Sequence, residues 1–498
     1  MSILVLLESP AKISKVKSFL GSDYEVMASM GHIRRLPVDR LGFNIDNNFE
    51  PEFENIPEKT DVIKKIKAKA KEVDKVVLSS DYDFEGESIS WHLSEVLKLP
   101  PNKRFRATFT EITKKAVCTA INNTLANNTI LDMNQVHAQF ARMVLDKLIG
   151  YKVSPMLWKE YNNYHLSAGR VQSCLVKLVV ERENEITAFS SKPYYKIDAR
   201  FLLDKKELTN VTTTTKYISA VCETEIKDQT MVEALYNQLK TQTAETPIWQ
   251  VISISKSQSK RNPSPPFITS SLQQDASSRL GMSPDSCMKH AQKLYEAGMI
   301  TYMRTDALFM AEDAMKAIKI CVENKWGANF YRRVDYKTKS ASSQEAHEAI
   351  RPTDFAKDSV MGLGVEGITA SHNRLYQLIW RRTVASQMSP ADFEILTIKI
   401  GQNANPNDNS NSKDGTSSTV TKKLAKKTAA KKNLKTEVAA NDAQEEASEQ
   451  EQAQVQAQVQ EQAQVQEPVV FTGKHEKVLF EGYLACVNMN KVNKKKQK

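Results

Sequence analysis

Residues 74–93 read DKVVLSSDYDFEGESISWHL, and the fold class turns on how this stretch is parsed. A short apolar run with polar residues on both sides is what a strand buried on both faces of a parallel sheet requires. Residues 86–99, GESISWHLSEVLKL, then follow with a helical pattern. Between strand and helix stand three carboxylates at i, i+2 and i+4: Asp81, Asp83 and Glu85. Carboxylates this close repel one another, and a divalent cation with oxygen ligands relieves that cost. Magnesium suits the pattern, because it takes one or two carboxylates and leaves positions for phosphate oxygens and water. The alternative is a solvated acidic loop that caps the helix N-terminus.

The same parsing applies upstream. Residues 3–8, ILVLLE, form a second apolar run ending in an acid, followed by the helical SPAKISKVKSFL. In an open α/β sheet the carboxyl ends of the strands line the ligand crevice, so Glu8 is expected to converge there with the 81–85 loop. The opening MSILVLLESPAK has no basic leader and reads as a strand, not a signal peptide.

Downstream, residues 110–190 turn helical, with apolar residues at three- and four-residue steps. Alternating segments from 193 to 255 predict strands, and helical patterns return at 270–326 and 372–388. The prolines of SKRNPSPP (259–266) mark a junction. Residues 413–435 hold eight lysines and one acid, and 436–468 hold eight acids and no lysine. A polar, low-complexity stretch of this kind, at about 402–468, is expected to be disordered, because it cannot bury enough apolar surface to offset its ordering entropy. The following VVFTGKHEKVLFEGYLACV predicts two more strands, before a basic tail.

At 498 residues and 56.1 kDa the chain has room for three or four domains. Charged residues at 26%, hydrophobic ones at 41% and a mean hydropathy of -0.46 indicate a soluble globular protein. No apolar run reaches the ~18 residues that span a bilayer, so no membrane partner is expected. The net charge of +10 permits a polyanionic partner without demanding one. Six scattered cysteines with no CxxC pair argue for a reducing, cytoplasmic compartment and against a zinc ribbon or a disulfide framework.

Three further stretches carry chemistry. In ITYMRTD, Tyr302 is followed by Arg304, and a tyrosine attacks phosphorus when a nearby cation stabilises the phenolate and the phosphate. With 15 tyrosines in the chain, a structural role is the competing reading. HLSAGRVQS (165–173) is a small-residue turn in which Arg170 and Gln172 add donors for a phosphate backbone, or an ordinary interhelical turn. In SSQEAHEAIRPT, His347 and Arg351 sit at helical spacing, either as phosphate readers or within a helix-surface salt-bridge cluster with Glu345 and Glu348.

Taken together, LLESPAK, GHI at 31–33, DYDFEGE, FTEIT, ARMVLDKLIGY, SPMLW, LSAGRVQS, PPFITSSLQQ, AQKLYEAGMITYMRTD, QEAHEAIRPT and LYQLIW resemble the type IA DNA topoisomerases of the bacterial topoisomerase I branch. The motifs run in the family's order over about residues 1–390. The resemblance implies a multidomain α/β and α+β toroid. It would comprise a Rossmann-like Toprim domain at 1–134, the first part of a helical DNA-binding domain at 135–190 and a β-rich arch part at 191–262. A tyrosine-bearing domain at 263–390 and arch return strands within 391–498 complete the list.

Carried over by motif, the resemblance implies ATP-independent relaxation of negatively supercoiled DNA by a monomer in the cytoplasm, associated with the bacterial nucleoid. Tyr302 would attack a phosphate of single-stranded DNA and leave a 5′-phosphotyrosyl link. Glu8, Asp81, Asp83 and Glu85 would bind Mg2+, with Glu8 also at the scissile oxygen, and Lys12 and Arg304 would stabilise phosphate charge. His32, Arg142, Asp146, Lys147, Lys159, the turn Ser167, Ala168, Gly169, Arg170, Val171 and Gln172, and His347 and Arg351 would contact or position DNA. No GxxxxGK[ST] loop is present.

The chain departs from the family's usual residues at Phe84, Arg35, Met143 and Ala307, where Arg, Asp, Arg and Ser are customary. Phe84 and Met143 each remove a positive charge near DNA. The segment with which the family usually continues is not found, which implies a C-terminally shortened, incomplete toroid. The alternative function is therefore an inactive or cleavage-only DNA-binding fragment that cannot complete strand passage.

Overall fold

The computed structural model describes residues 2–202, 217–224, 226–245, 249–337, 347–402 and 469–488. The low-complexity stretch beyond Gln402, the basic tail and Glu345 lie outside the described residues. The chain forms two compact units, one of 1–189, 260–392 and 478–498, the other of 190–259 and 393–477.

The first unit opens on strand β1 (Ile3–Leu7), whose five residues are all buried, as a strand covered on both faces demands. Helix α1 (Ile13–Phe19) leads to β2 (Tyr24–Ala28). A two-residue hairpin, β3 (Arg34–Arg35) with β4 (Glu54–Asn55), precedes α2 (Thr60–Glu72). Then come β5 (Lys75–Ser79), α3 (Phe84–Leu97), β6 (Arg104–Arg106) and α4 (Lys114–Asn127). The sheet is parallel in the order β2-β1-β5-β6, with Leu7 beside Ser79. Glu8 and the 81–85 loop therefore leave the carboxyl ends of adjacent strands.

Long helix α5 (Met133–Tyr161) is capped by Asp132, which accepts from the backbone amides of Asn134 and Gln135, and it packs on α3. Helix α6 (Arg170–Ala188) follows.

The second unit carries β7 (Asp198–Leu202), β8 (Tyr217–Cys222), helix α7 (Gln229–Glu245) and β9 (Trp249–Arg261). The helix interrupts what the sequence reading took as a run of strands. Val232, Leu235, Tyr236 and Leu239 recur at helical steps, and Leu239 is buried against the sheet. The five-stranded sheet has the order β7-β8-β11-β10-β9.

Back in the first unit, α8 (Thr269–Leu280), α9 (Pro284–Glu296), α10 (Glu312–Trp326) and α11 (Ala370–Ser386) surround the ITYMRTD segment. One continuous core joins residues of β1 and β2 to these helices, Tyr302 included. Strand β10 spans Ala391–Gln402 and β11 spans Val470–Phe480. The last stretch is one strand and a short helix, α12 (Leu484–Val487), not two strands. Gly482 causes the break: its φ is +48°, and a side chain there would lie 2.2 Å from the Pro390 carbonyl oxygen.

Candidate active site

The acidic loop is shaped by the start of α3. Asp83 caps that helix by accepting from the Gly86 amide at 2.7 Å. Gly86 is required because a Cβ would lie 2.1 Å from the carbonyl oxygen of Asp81. Beneath the loop, buried Arg106 pairs with buried Glu87 at 2.7 Å and donates to the carbonyls of Leu78, Ser80 and Asp81. No motif reading singled out this pair.

The tyrosine segment is pinned from both sides. The Tyr302 amide donates to the Thr110 carbonyl at 2.8 Å, and the Thr301 amide to the Arg351 carbonyl at 2.9 Å. FTEIT, ITYMRTD and AIRPT thus form one assembly. Tyr302 lies 3% exposed, and its hydroxyl donates to Asp83 Oδ2 at 2.5 Å.

A cavity of about 370 Å³ is lined by Glu8, Asp81, Asp83, Tyr302 and Arg304, with Lys289 and Gln292 of α9. Lys12, 1% exposed, forms an ion pair with Asp81. Arg304 lies 3.2 Å from Glu85 and 3.8 Å from Asp83. Glu85 turns to His32, with Nε2 at 3.1 Å, and does not line the cavity.

Charge and burial set the protonation of these groups. Burial pushes the Glu8 carboxyl up to about 7, helped by Asp81 and opposed by Lys12. Burial, with Asp83 and Asp81, pushes the Tyr302 phenol well above its ordinary value, while Arg304 pulls the other way. Tyr302 therefore holds its proton against Asp83 in this arrangement. The His32 hydrogen bond keeps the Glu85 carboxyl below the usual range, with Arg304 adding to it.

His347 does not lie on a surface helix, as the spacing suggested. Residues 347–352 are not helical and, apart from half-buried Glu348, are buried, with Ile350 bridged to Phe267 and Pro352 to Ile300, and a residue before proline is steered away from helix. The His347 ring stacks on Tyr82 at 4.8 Å and faces Tyr302 at 6.2 Å. Burial lowers its pKa. Arg351, 5% exposed, is held by Glu348 at 2.7 Å and Glu111 at 3.0 Å.

A second group sits on α5 and α6. Arg170 pairs with Asp146 at 2.9 Å, and Gln172 donates to the Ser167 carbonyl at 2.8 Å. The Ala168 amide donates to Ser154, and Gly169 and Val171 flank the start of α6. Lys147 donates to the Pro37 carbonyl, while Lys159 stands exposed near the end of α5. Arg142 lies over the Phe84 ring at 5.7 Å, which carries this group toward the acidic loop.

The donor set suits a hard divalent cation. Glu8, Asp81 and Asp83 offer carboxylate oxygens to one cavity, although among the described residues no group of three or more His, Cys, Asp or Glu side chains is arranged to hold a metal ion. Such a partial set fits an ion that takes one or two carboxylates and completes its shell with water and phosphate. Among the described residues no helix is long and apolar enough to cross a membrane.

Comparison with known proteins places this geometry. Residues 3–112 match the Toprim domain, a type that generally binds a metal ion, and 130–475 match the DNA topoisomerase family. DNA topoisomerase 1 type prokaryotic of Acanthamoeba polyphaga mimivirus is 43% identical over 80% of this chain and 46% of its own length. DNA topoisomerase 1 of Zymomonas mobilis is 39% identical over 81% of this chain and 32% of its own. Full-length topoisomerase I of Thermotoga maritima superposes with a TM-score of 0.68 at 30% identity, over 96% of this chain and 66% of that one. The chain thus spans about half the length of the curated relatives it matches, or less. With a Toprim acidic loop facing a buried tyrosine across one cavity, and those matches on both sides of it, the chain belongs to the type IA DNA topoisomerases.

Proposed function

We propose that this chain relaxes negatively supercoiled DNA by ATP-independent cleavage and rejoining of one strand. The observation that carries the reading is the Tyr302 hydroxyl on Asp83, in one cavity with Glu8, Asp81 and Arg304. Tyr302 Oη attacks a backbone phosphorus, the P–O3′ bond breaks, and a 5′-phosphotyrosyl link and a 3′-hydroxyl result. Asp83 receives the phenol proton, and Glu8, whose carboxyl is pushed up to about 7, gives its proton to the leaving 3′-oxygen, with Glu85 nearby as an electrostatic partner. Lys12 and Arg304 stabilise phosphate charge. The covalent link conserves the phosphodiester energy, so rejoining is the reversal and needs no nucleotide.

Magnesium, held by Glu8, Asp81 and Asp83 with Glu85 nearby, would neutralise the acids and polarise a phosphate oxygen. His32, Arg142, Asp146, Lys147, Lys159 and residues 167–172 guide the single strand. His347 and Arg351 position it through the segment they brace. The domains are a Toprim domain at about 1–134, a helical part at 135–190, arch parts at 191–262 and 391–498, and a tyrosine domain at 263–390. The chain acts as a cytoplasmic monomer.

The test is relaxation of negatively supercoiled plasmid with magnesium, in parallel with adduct trapping on a 3′-end-labelled single-stranded oligonucleotide. Both signals are expected from the wild type and neither from Tyr302→Phe. Absence of both from the wild type would overturn the reading. A second reading is cleavage and rejoining without strand passage. An adduct without relaxation would select it.

A further inference from the structure

Tyr295 is 0% exposed on the last turn of α9, seven residues before Tyr302. Its side chain makes three contacts, each with a different part of the site. The hydroxyl donates to Asp81 Oδ1 at 3.2 Å. The ring face receives the Lys12 ammonium, with Nζ 4.8 Å from the centroid. The ring also meets Tyr302 in a T-shaped contact, centroids 5.2 Å apart at 66°.

Lys12 needs such a neighbour. A buried ammonium is tolerated only when its charge is met and its N–H donors are engaged. Asp81 supplies the opposite charge, and the negative face of an aromatic ring supplies a second, oriented partner. Leucine or methionine at 295 would fill the space and leave the ammonium facing hydrocarbon. The Tyr295 hydroxyl, enclosed and committed to Asp81, is not placed to reach a phosphate itself.

We propose that Tyr295 is a positioning residue for strand cleavage: its ring seats the Lys12 ammonium on Asp81 and holds the ring of Tyr302 against the acidic loop. The inference rests on Tyr302 being the nucleophile. It assigns a task to the first tyrosine of LYEAGMITY, to which the motifs alone give none.

The experiment measures the rate of adduct formation on a saturating 3′-end-labelled single-stranded oligonucleotide with magnesium, and DNA affinity by fluorescence anisotropy. The full chain is compared with Tyr295→Phe, Tyr295→Leu, Lys12→Ala and the Lys12→Ala, Tyr295→Leu double variant, each checked for folding by thermal melting. Tyr295→Phe keeps the ring and is expected to stay within about tenfold of wild type, the loss reflecting one hydrogen bond to a carboxylate. Tyr295→Leu is expected to lose on the order of 100-fold in rate, as for a misplaced reacting group, with DNA affinity unchanged. In the Lys12→Ala background the leucine substitution should cost clearly less than in the wild type, because the Lys12 contact is already gone and only the Tyr302 ring contact and the Asp81 hydrogen bond are left to lose.

Losses that multiply, or a phenylalanine variant as impaired as the leucine one, would overturn the proposal, as would a leucine variant with the wild-type rate. If Tyr295→Leu fails to fold, Tyr295→Met takes its place in the same cycle. A wild-type chain that forms no adduct is the separate failure of the nucleophile assignment.

Discussion

The Tyr302 hydroxyl donates to Asp83 Oδ2 at 2.5 Å, a contact between residues 219 positions apart. It joins the two halves of the proposed chemistry, nucleophile and acid, before any substrate is present. Asp83 has two tasks in the same carboxylate, because its other oxygen caps α3 through the Gly86 amide. Asp83→Ala is therefore expected to slow adduct formation by about 10²- to 10⁴-fold, the range for a lost proton-transfer partner, and to lower the melting temperature through the lost cap. Asp83→Asn, which can still cap, should keep the stability and not the rate. Single-turnover trapping beside thermal melts separates the two, and an Asn variant with the wild-type rate would sink the assignment.

Gly86 makes the loop geometry sensitive to a single methyl. Since a Cβ there would lie 2.1 Å from the Asp81 carbonyl oxygen, the backbone must shift to admit it. Gly86→Ala is expected to destabilise the first unit by about 1–3 kcal/mol, as overpacking does, and to displace Asp81. Chemical denaturation checks the stability, and adduct formation should fall further than stability alone explains.

Arg106 and Glu87 form the buried pair under the same loop, with side chains 2% and 4% exposed. Removing one partner leaves an uncompensated charge, so Glu87→Ala should cost about 3–5 kcal/mol. Replacing both with apolar residues should recover part of that cost. Urea midpoints for the single and double variants test this, and a near-neutral Glu87→Ala would contradict it.

Phe84 stands where the family usually has arginine, and it offers its ring to Arg142. Phe84→Ala removes an exposed cation–π contact worth about 0.5–1 kcal/mol, so affinity for single-stranded DNA should weaken about two- to fivefold. Phe84→Arg restores a charge, and the slope of log affinity against log salt should steepen by about 0.7, the value per phosphate on a single strand. Anisotropy titrations across salt concentrations read both effects. An unchanged slope would mean that position 84 lies off the DNA path.

His92 is fully buried among Phe53, Trp91 and Phe140, and burial, aided by Arg34 and His32, lowers its pKa to about 3. The unfolded chain binds a proton near the ordinary value of 6.5 that the native chain refuses. Stability is therefore full above pH 6.5 and falls as pH drops from 6.5 toward 3, by up to about 1.4 kcal/mol per unit. His92→Leu should flatten this dependence. Denaturation of both proteins at neutral pH and at about pH 5 is the check, and equal slopes would refute it.

By itself the sequence determined the parallel sheet at the front of the chain and the acids at its carboxyl edge. The reason is local, since apolar runs between polar flanks have few other places to go, and an acid after such a run must emerge at the crevice. The motifs around Tyr302 were legible in the same way, through their order and resemblance. Where the local signal weakens, the sequence misleads: α7 falls inside a stretch that alternates like strand, Gly482 breaks the last strand pattern, and the helical spacing of His347 and Arg351 gives way to bridges of Ile350 with Phe267 and of Pro352 with Ile300.

Only the tertiary structure decided which residues meet. Tyr302 on Asp83, Tyr82 stacked on His347, Tyr295 between Lys12 and Tyr302, and Arg351 shared by Glu348 and Glu111 all join distant segments. Periodicity carries no information about such partners. Burial does, because a charge or hydroxyl withdrawn from water must find its counterpart, and the core that joins the sheet to α8–α11 brings those counterparts together.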